Sequence, residues 1–125
     1  MNAIAFQVTG MDMSGYMVKD APRAIAWYRD VLGLEPARVY AEDRGAEYDL
    51  PDGTTFGLWG GGGKAMPFQP SNGTLLAVDD IESATRALKA RGVPIVAEFA
   101  LAQCRMAGIA DSEGNIVFLH ERKRE

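Results

Sequence analysis

Apolar and polar residues alternate along this chain in two rhythms. From Met13 to Lys19, MSGYMVK, the period is two, which predicts a strand with Met13, Gly15 and Met17 on one side and Ser14, Tyr16 and Val18 on the other. Asp20 then stands as a helix N-cap, and Pro22 occupies the first turn, where its missing N–H costs nothing. Ile25, Tyr28, Val31 and Leu32 recur at helical spacing before Gly33 stops the helix. Three short strands fit residues 36–42, 45–50 and 54–59, the last two separated by the turn Pro51-Asp52-Gly53. Residues 60–73, GGGGKAMPFQPSNG, keep neither rhythm and read as a connector rich in Gly and Pro.

The pattern then begins again. Residues 74–78, TLLAV, predict a strand, Asp79 or Asp80 a cap, and Ile81, Ala84 and Leu88 a second helix that ends at Gly92. Three further strands fit 94–99, 103–110 and 115–121. In the last of these, Ile116, Phe118 and His120 share one face and Val117, Leu119 and Glu121 the other. The turn ahead of it is built from Asp111, Ser112 and Gly114, residues that bond back to their own backbone or accept positive φ. Asp20 to Gly33 spans 33 − 20 = 13 positions and Asp79 to Gly92 spans 92 − 79 = 13, and LPDGTTFGLW parallels ADSEGNIVFLH. The chain is an internal duplication.

Composition narrows the function. At 125 residues, 47% hydrophobic and 24% charged, the chain is the size of one domain that buries its own core. A formal charge of −4 argues against nucleic acid and anionic membrane surfaces as partners. The single cysteine, Cys104, allows no intrachain disulfide and no Cys-rich zinc site, which points to a reducing compartment. No apolar run reaches the roughly 20 residues that span a bilayer. The N-terminal MNAIAFQVTGMDM has neither a basic n-region nor a sustained apolar h-region, so no secretory signal is read and a cytoplasmic location is expected. The string GGGGKA suggests a phosphate-cradling loop, but Leu58 stands where that motif needs its first glycine and Ala65 where it needs Ser or Thr.

With the duplication in view, the sequence resembles the vicinal oxygen chelate superfamily, which contains glyoxalase I, bleomycin-resistance proteins and extradiol dioxygenases. The residues that carry the resemblance are Asp20, Arg23, Ala24 and the run WYRDVLGLEP at 27–36, then VDDI at 78–81, ARGV at 90–93 and the ADSEGNIVFLHE turn and strand. It implies an α+β fold of two βαβββ modules in tandem, with sheets curled into an open cup, helices outside, and a homodimer. On this reading residues 1–125 form a single domain, with a first module at about 5–60, a connector at 61–73 and a second module at about 74–121. Metal-using members hold one divalent ion in the cup through His, Gln or Glu. Carried across, those ligand positions fall near Met13, Gly57, Gly73 and at Phe118, a thioether and three residues without a side-chain donor for a hard ion. The expectation is therefore no metal and no cofactor, with Asp12 and His120 the nearest irregular donors.

The same carry-over turns these positions toward the cup. Alternation extends the lining, giving a ligand-binding set of Met13, Met17, Trp59, Phe68, Leu75, Cys104, Phe118 and His120, with Ala77 beside them. Such a lining, apolar, aromatic and nearly free of charge, suits a small hydrophobic or aromatic ligand. Several alternatives stay open. Phe68 either closes over the cup or packs on strand ends. His120 is either an acid or base, or a strand-end histidine without a chemical role. Cys104 is either its thiolate partner or a buried inert thiol, depending on hairpin register. Glu47 and Asp49 share a strand face, as a carboxylate pair or as an ordinary solvated surface. The closing ERKRE reads as a solubilising end. The functional expectation is ligand capture of the resistance or sequestration type. The alternatives are a glyoxalase-like lyase or isomerase or a dioxygenase with an irregular metal site or with His120 as acid/base, and an interaction module.

Overall fold

In the computed structural model, residues 5–41, 44–60, 67–102 and 104–122 are described. Residues 61–66 of the connector and the end of the closing charged run lie outside them. The first module runs β1 (Ser14–Val18), α1 (Ala21–Leu32), β2 (Arg38–Val39), β3 (Gly45–Asp49) and β4 (Thr55–Gly60). The second repeats it as β5 (Leu75–Ala77), α2 (Ile81–Ala90), β6 (Ala97–Ala100), β7 (Cys104–Ala110) and β8 (Ile116–Arg122). Each makes a four-stranded sheet, ordered β1-β4-β3-β2 and β5-β8-β7-β6, and neither closes on itself. Within each, the first strand runs parallel to the last and the remaining neighbours are antiparallel. This is the expected α+β duplication.

The helices start and stop where side-chain chemistry dictates. Asp20 caps α1 by accepting from the Arg23 amide at 3.1 Å, and Gly33 ends it at φ 70°. Of the two candidate caps for α2, Asp80 serves, accepting from the amides of Glu82 at 3.0 Å and Ser83 at 3.2 Å. The helices therefore correspond at an offset of 80 − 20 = 60, which matches buried Ala21 with Ile81 and buried Tyr28 with Leu88. The turns before β4 and β8 also correspond. Leu50 N–H donates to the Thr54 carbonyl at 2.9 Å, as Asp111 N–H does to Asn115 at 2.8 Å, with Gly53 at φ 88° and Gly114 at φ 87°. Leu50 and Asp111 are thus equivalent positions.

The two half-cores differ in kind. Tyr16, Tyr28, Tyr48 and Phe56 form an aromatic cluster in the first, with Phe56 at 5.3–6.0 Å centroid distance from the three tyrosine rings. The pairings Tyr48↔Phe56 and Ile109↔Val117 put aliphatic residues at the corresponding places in the second, alongside Leu76 and Leu88. Polar groups join the halves. The Tyr16 hydroxyl lies 3.0 Å from the Thr74 carbonyl and 2.8 Å from that of Ile116, and the hydroxyls of Ser14 and Thr74 are 2.9 Å apart. Glu113 accepts from the amides of Lys19 at 3.1 Å and Asp20 at 3.0 Å, just ahead of α1. Buried Asn115 donates to the Met17 carbonyl at 3.1 Å and accepts from the Ser71 amide at 2.9 Å. These bonds fix the β7–β8 turn against β1.

Candidate functional site

Strand alternation gives each sheet a face toward its helix and a helix-free face. On the first sheet Tyr16, Val18, Ala46, Tyr48, Phe56 and Leu58 are buried toward α1, so Gly15, Met17, Gly57 and Trp59 lie on the helix-free side. Two glycines permit a close fit there. A Cβ on Gly15 would stand 1.7 Å from the Gly57 carbonyl oxygen, and one on Gly57 would stand 2.2 Å from the Met13 methyl and 3.5 Å from the Trp59 ring. Met13 and Trp59 therefore cover the space a side chain at position 57 would fill.

The second sheet repeats the device with a different ring. The pairs Leu75↔Phe118, Ala77↔His120 and Met106↔His120 set Leu75, Ala77, Met106, Phe118 and His120 on its helix-free face. A Cβ on Gly108 would lie 2.9 Å from Phe118 Cε1, so the ring lies over that glycine. Phe99 packs beside it with centroids 6.2 Å apart. Phe99 and Met106 were not among the sequence candidates. Their signal was the period-two match of β6 and β7 to β8, unreadable until the hairpin register was fixed. That register pairs Cys104 with Arg122 one step beyond Met106↔His120, which places Cys104 on the His120 face. Phe68 is half-buried at the end of β1, where the Lys19 ammonium sits 5.1 Å from its ring centroid, a cation–π contact.

The donor set does not fit a resident divalent ion. Met13 covers Gly57, a Cβ at Gly73 would meet nothing within 4 Å, and no group of three or more His, Cys, Asp or Glu side chains gathers among the described residues.

One expectation about this face needs correcting. It is not nearly free of charge, because Glu47 pairs across β3–β4 with Gly57, and Glu47 and Asp49 therefore share the side of Trp59. Arg38 binds both, with Nε 2.8 Å from Glu47 and Nη2 2.6 Å from Asp49, and the Tyr40 hydroxyl also donates to Glu47. The guanidinium holds the Asp49 carboxyl below the usual carboxylate range. The two carboxylates share one guanidinium and form an ion-paired corner at the solvated edge of the sheet. A second sheet edge had to supply Arg38 before that was visible.

A separate cleft of about 720 Å³ opens on the helix side, between the C-terminal half of α1, α2 and the Leu50–Thr55 turn. Its walls are chiefly Leu34, Leu50, Phe56, Leu76, Leu88 and Leu119. Of the eight sequence-predicted ligand residues, Met13 and Leu75 reach it; Met17, Trp59, Phe68, Cys104, Phe118 and His120 do not. The pattern reading did not single out the rest of this lining.

The sequence model of the glyoxalase/bleomycin resistance protein/dioxygenase superfamily matches residues 10–117, and the chain belongs to that superfamily. Solved structures share the fold. A lactoylglutathione lyase from Agrobacterium tumefaciens aligns at a TM-score of 0.75 and 17% identity, covering 91% of this chain and 94% of that one. An antibiotic binding protein from a Streptomyces species aligns at 0.75 and 20%, covering 94% and 99%. A glyoxalase/bleomycin resistance protein from Catenulispora acidiphila aligns at 0.66 and 24%, covering 89% and 96%. No curated protein matches the chain. No helix among the described residues is long and apolar enough to cross a membrane.

Proposed function

We propose that the protein captures a hydrophobic or aromatic small molecule against the helix-free faces of its two sheets, without converting it. The ligand is held by Met13, Met17, Trp59, Phe68, Leu75, Cys104, Phe118 and His120, with Phe99 and Met106 extending the surface. The observation that carries this reading is the pair of covered glycines, Gly57 under Met13 and Trp59 and Gly108 under Phe118. Removing a side chain at the centre of each sheet lets a ring and a thioether lie flat, which makes a stacking platform of the kind planar ligands use. The Arg38–Glu47–Asp49 corner supplies orienting polar groups at one end. The antibiotic binding protein of the same fold lends weight to capture as the activity. The assembly we propose is a homodimer, as the family resemblance implies.

The test uses Trp59 emission in a Trp27→Phe background, so that one indole reports. Planar aromatic compounds should quench it saturably, and mass spectrometry should recover them unchanged. Quenching should be lost in Phe118→Asp. Undiminished quenching in that variant overturns the assigned surface, and a chemically altered ligand overturns capture.

A further inference from the structure

We infer that the helix-side cleft is a second binding site, for an uncharged apolar small molecule, created by a loss of symmetry between the two modules. The equivalences established by the caps and turns make the argument. Where the first module and its neighbouring turn carry Tyr16, Tyr28 and Asp111, the corresponding positions carry Leu76, Leu88 and Leu50, and these three leucines all line the cleft. On the filled side, the two phenol rings occupy the space between helix, sheet and turn, and their hydroxyls end on Asp111 Oδ2 at 2.7 Å and on the Thr74 and Ile116 carbonyls. On the open side, two leucines shorter than the tyrosines they replace, and a third with no carboxylate to draw a hydroxyl inward, leave about 720 Å³, within the roughly 300–1,000 Å³ that small-molecule pockets occupy.

The chemistry of the occupant follows from the margin. Several polar groups there are engaged by the protein: Ser14 with Thr74 at 2.9 Å, Asp52 with the Thr54 amide at 3.0 Å and with its hydroxyl, and Arg91 with the Val31 and Asp30 carbonyls at the end of α1. Each of these groups lines the cleft or binds a residue that does. The charged side chains of the lining, Asp12, Asp52 and Arg91, are all exposed to water at its mouth, whereas the walls are leucine, so an uncharged apolar body matches those walls in both charge and solvation. The cleft shares Met13 and Leu75 with the helix-free set at its edge, but Trp59, Phe118 and His120 take no part in it, and Leu50, Ala87 and Leu88 belong to the cleft alone.

The neutral dye Nile red is the probe. The whole chain should bind it saturably, one per chain, with a blue-shifted emission. Leu88→Tyr and the paired Leu50→Asp/Leu88→Tyr, which rebuild the filled side, should weaken binding at least on the order of tenfold, a change of about 1.4 kcal/mol. Ala87→Phe, on the exposed side of α2, should weaken it too and does not depend on repacking the core. Trp59 quenching by planar aromatics is read on the same variants and should persist, so failure of the cleft and failure of the helix-free surface are separable. Parental dye binding in all three variants overturns the proposal. So does binding that appears only after residues 1–10 are deleted, which gives the cleft to the chain's own N-terminal arm, or that is lost as the chain self-associates, which gives it to a second copy.

Discussion

The Tyr28 hydroxyl donates to Asp111 Oδ2 at 2.7 Å across 83 positions of sequence, both groups buried. Asp111 also accepts from the Glu113 amide at 2.8 Å, the Asn115 amide at 2.9 Å and Asn115 Nδ2 at 3.0 Å. One carboxylate therefore organises the β7–β8 turn and anchors α1 to it. Tyr28→Phe should cost about 1–3 kcal/mol, since it removes one charge-assisted bond. Asp111→Ala should cost more, about 2–4 kcal/mol, because it orphans several buried donors at once. Urea unfolding of both variants gives the ranking.

Tyr48 supplies the contrast. Its hydroxyl is buried and has no hydrogen-bond partner among the described residues, and burial pushes its pKa up to about 12. Tyr48→Phe removes a desolvated polar atom and leaves the ring, so stability should hold or rise by about 1 kcal/mol. The same chemical change therefore has opposite signs at Tyr28 and Tyr48.

Alkali should unfold the protein through these phenols. Burial raises the pKa of Tyr16, Tyr28 and Tyr48, with Asp111 adding to the rise at Tyr28. A group with a raised folded pKa binds its proton more tightly when folded. The stability it contributes is complete below the unfolded value of about 10 and lost as pH climbs beyond it. Phenolate absorbance from these three residues should appear together with loss of far-ultraviolet circular dichroism. Absorbance that rises fully while the fold persists would contradict this.

The two paired glycines of the first sheet, Gly15 and Gly57, should differ sharply in tolerance. A Cβ at Gly15 meets backbone oxygen at 1.7 Å, which cannot yield without parting β1 from β4, whereas a Cβ at Gly57 meets the end of the flexible Met13 side chain. Gly15→Ala should cost about 3 kcal/mol or more and Gly57→Ala about 1 kcal/mol, read as melting temperatures.

Arg38→Met should raise the pKa of Asp49. The pair is exposed, so the effect belongs in a carbon-13 titration of the carboxyl and not in overall stability. The midpoint should move upward toward the ordinary carboxylate value, and added salt should narrow the difference between parent and variant.

The sequence revealed most where a rule acts within a few residues. Period-two alternation placed Met17 and Tyr16 on opposite faces of β1, and Phe118 and Leu119 on opposite faces of β8, as the structure has them. Caps located both helices, although the choice between Asp79 and Asp80 needed the geometry of the Glu82 and Ser83 amides. The strand expected at 94–99 forms at 97–100, for Pro94 has no N–H to offer a ladder and the first bond comes from Val96 to the Gly108 carbonyl. The β2 strand shrank to two residues. Features that depend on pairing between distant segments stayed hidden, among them the face of Cys104 and the Arg38 corner. The helix-side cleft was least readable. It arises from comparing Tyr28 with Leu88 and Asp111 with Leu50, and that comparison requires knowing which turn each helix meets in space.

The two amides ahead of α1 reach their acceptor only at Glu113, and the Tyr28 hydroxyl reaches its own only at Asp111. A chain leaving the ribosome thus exposes its first helix and aromatic cluster well before the carboxylates that complete them have been translated. Without the trailing hairpin the leading half lacks these acceptors, so a stall late in synthesis should yield a protease-sensitive fragment in place of a free-standing module.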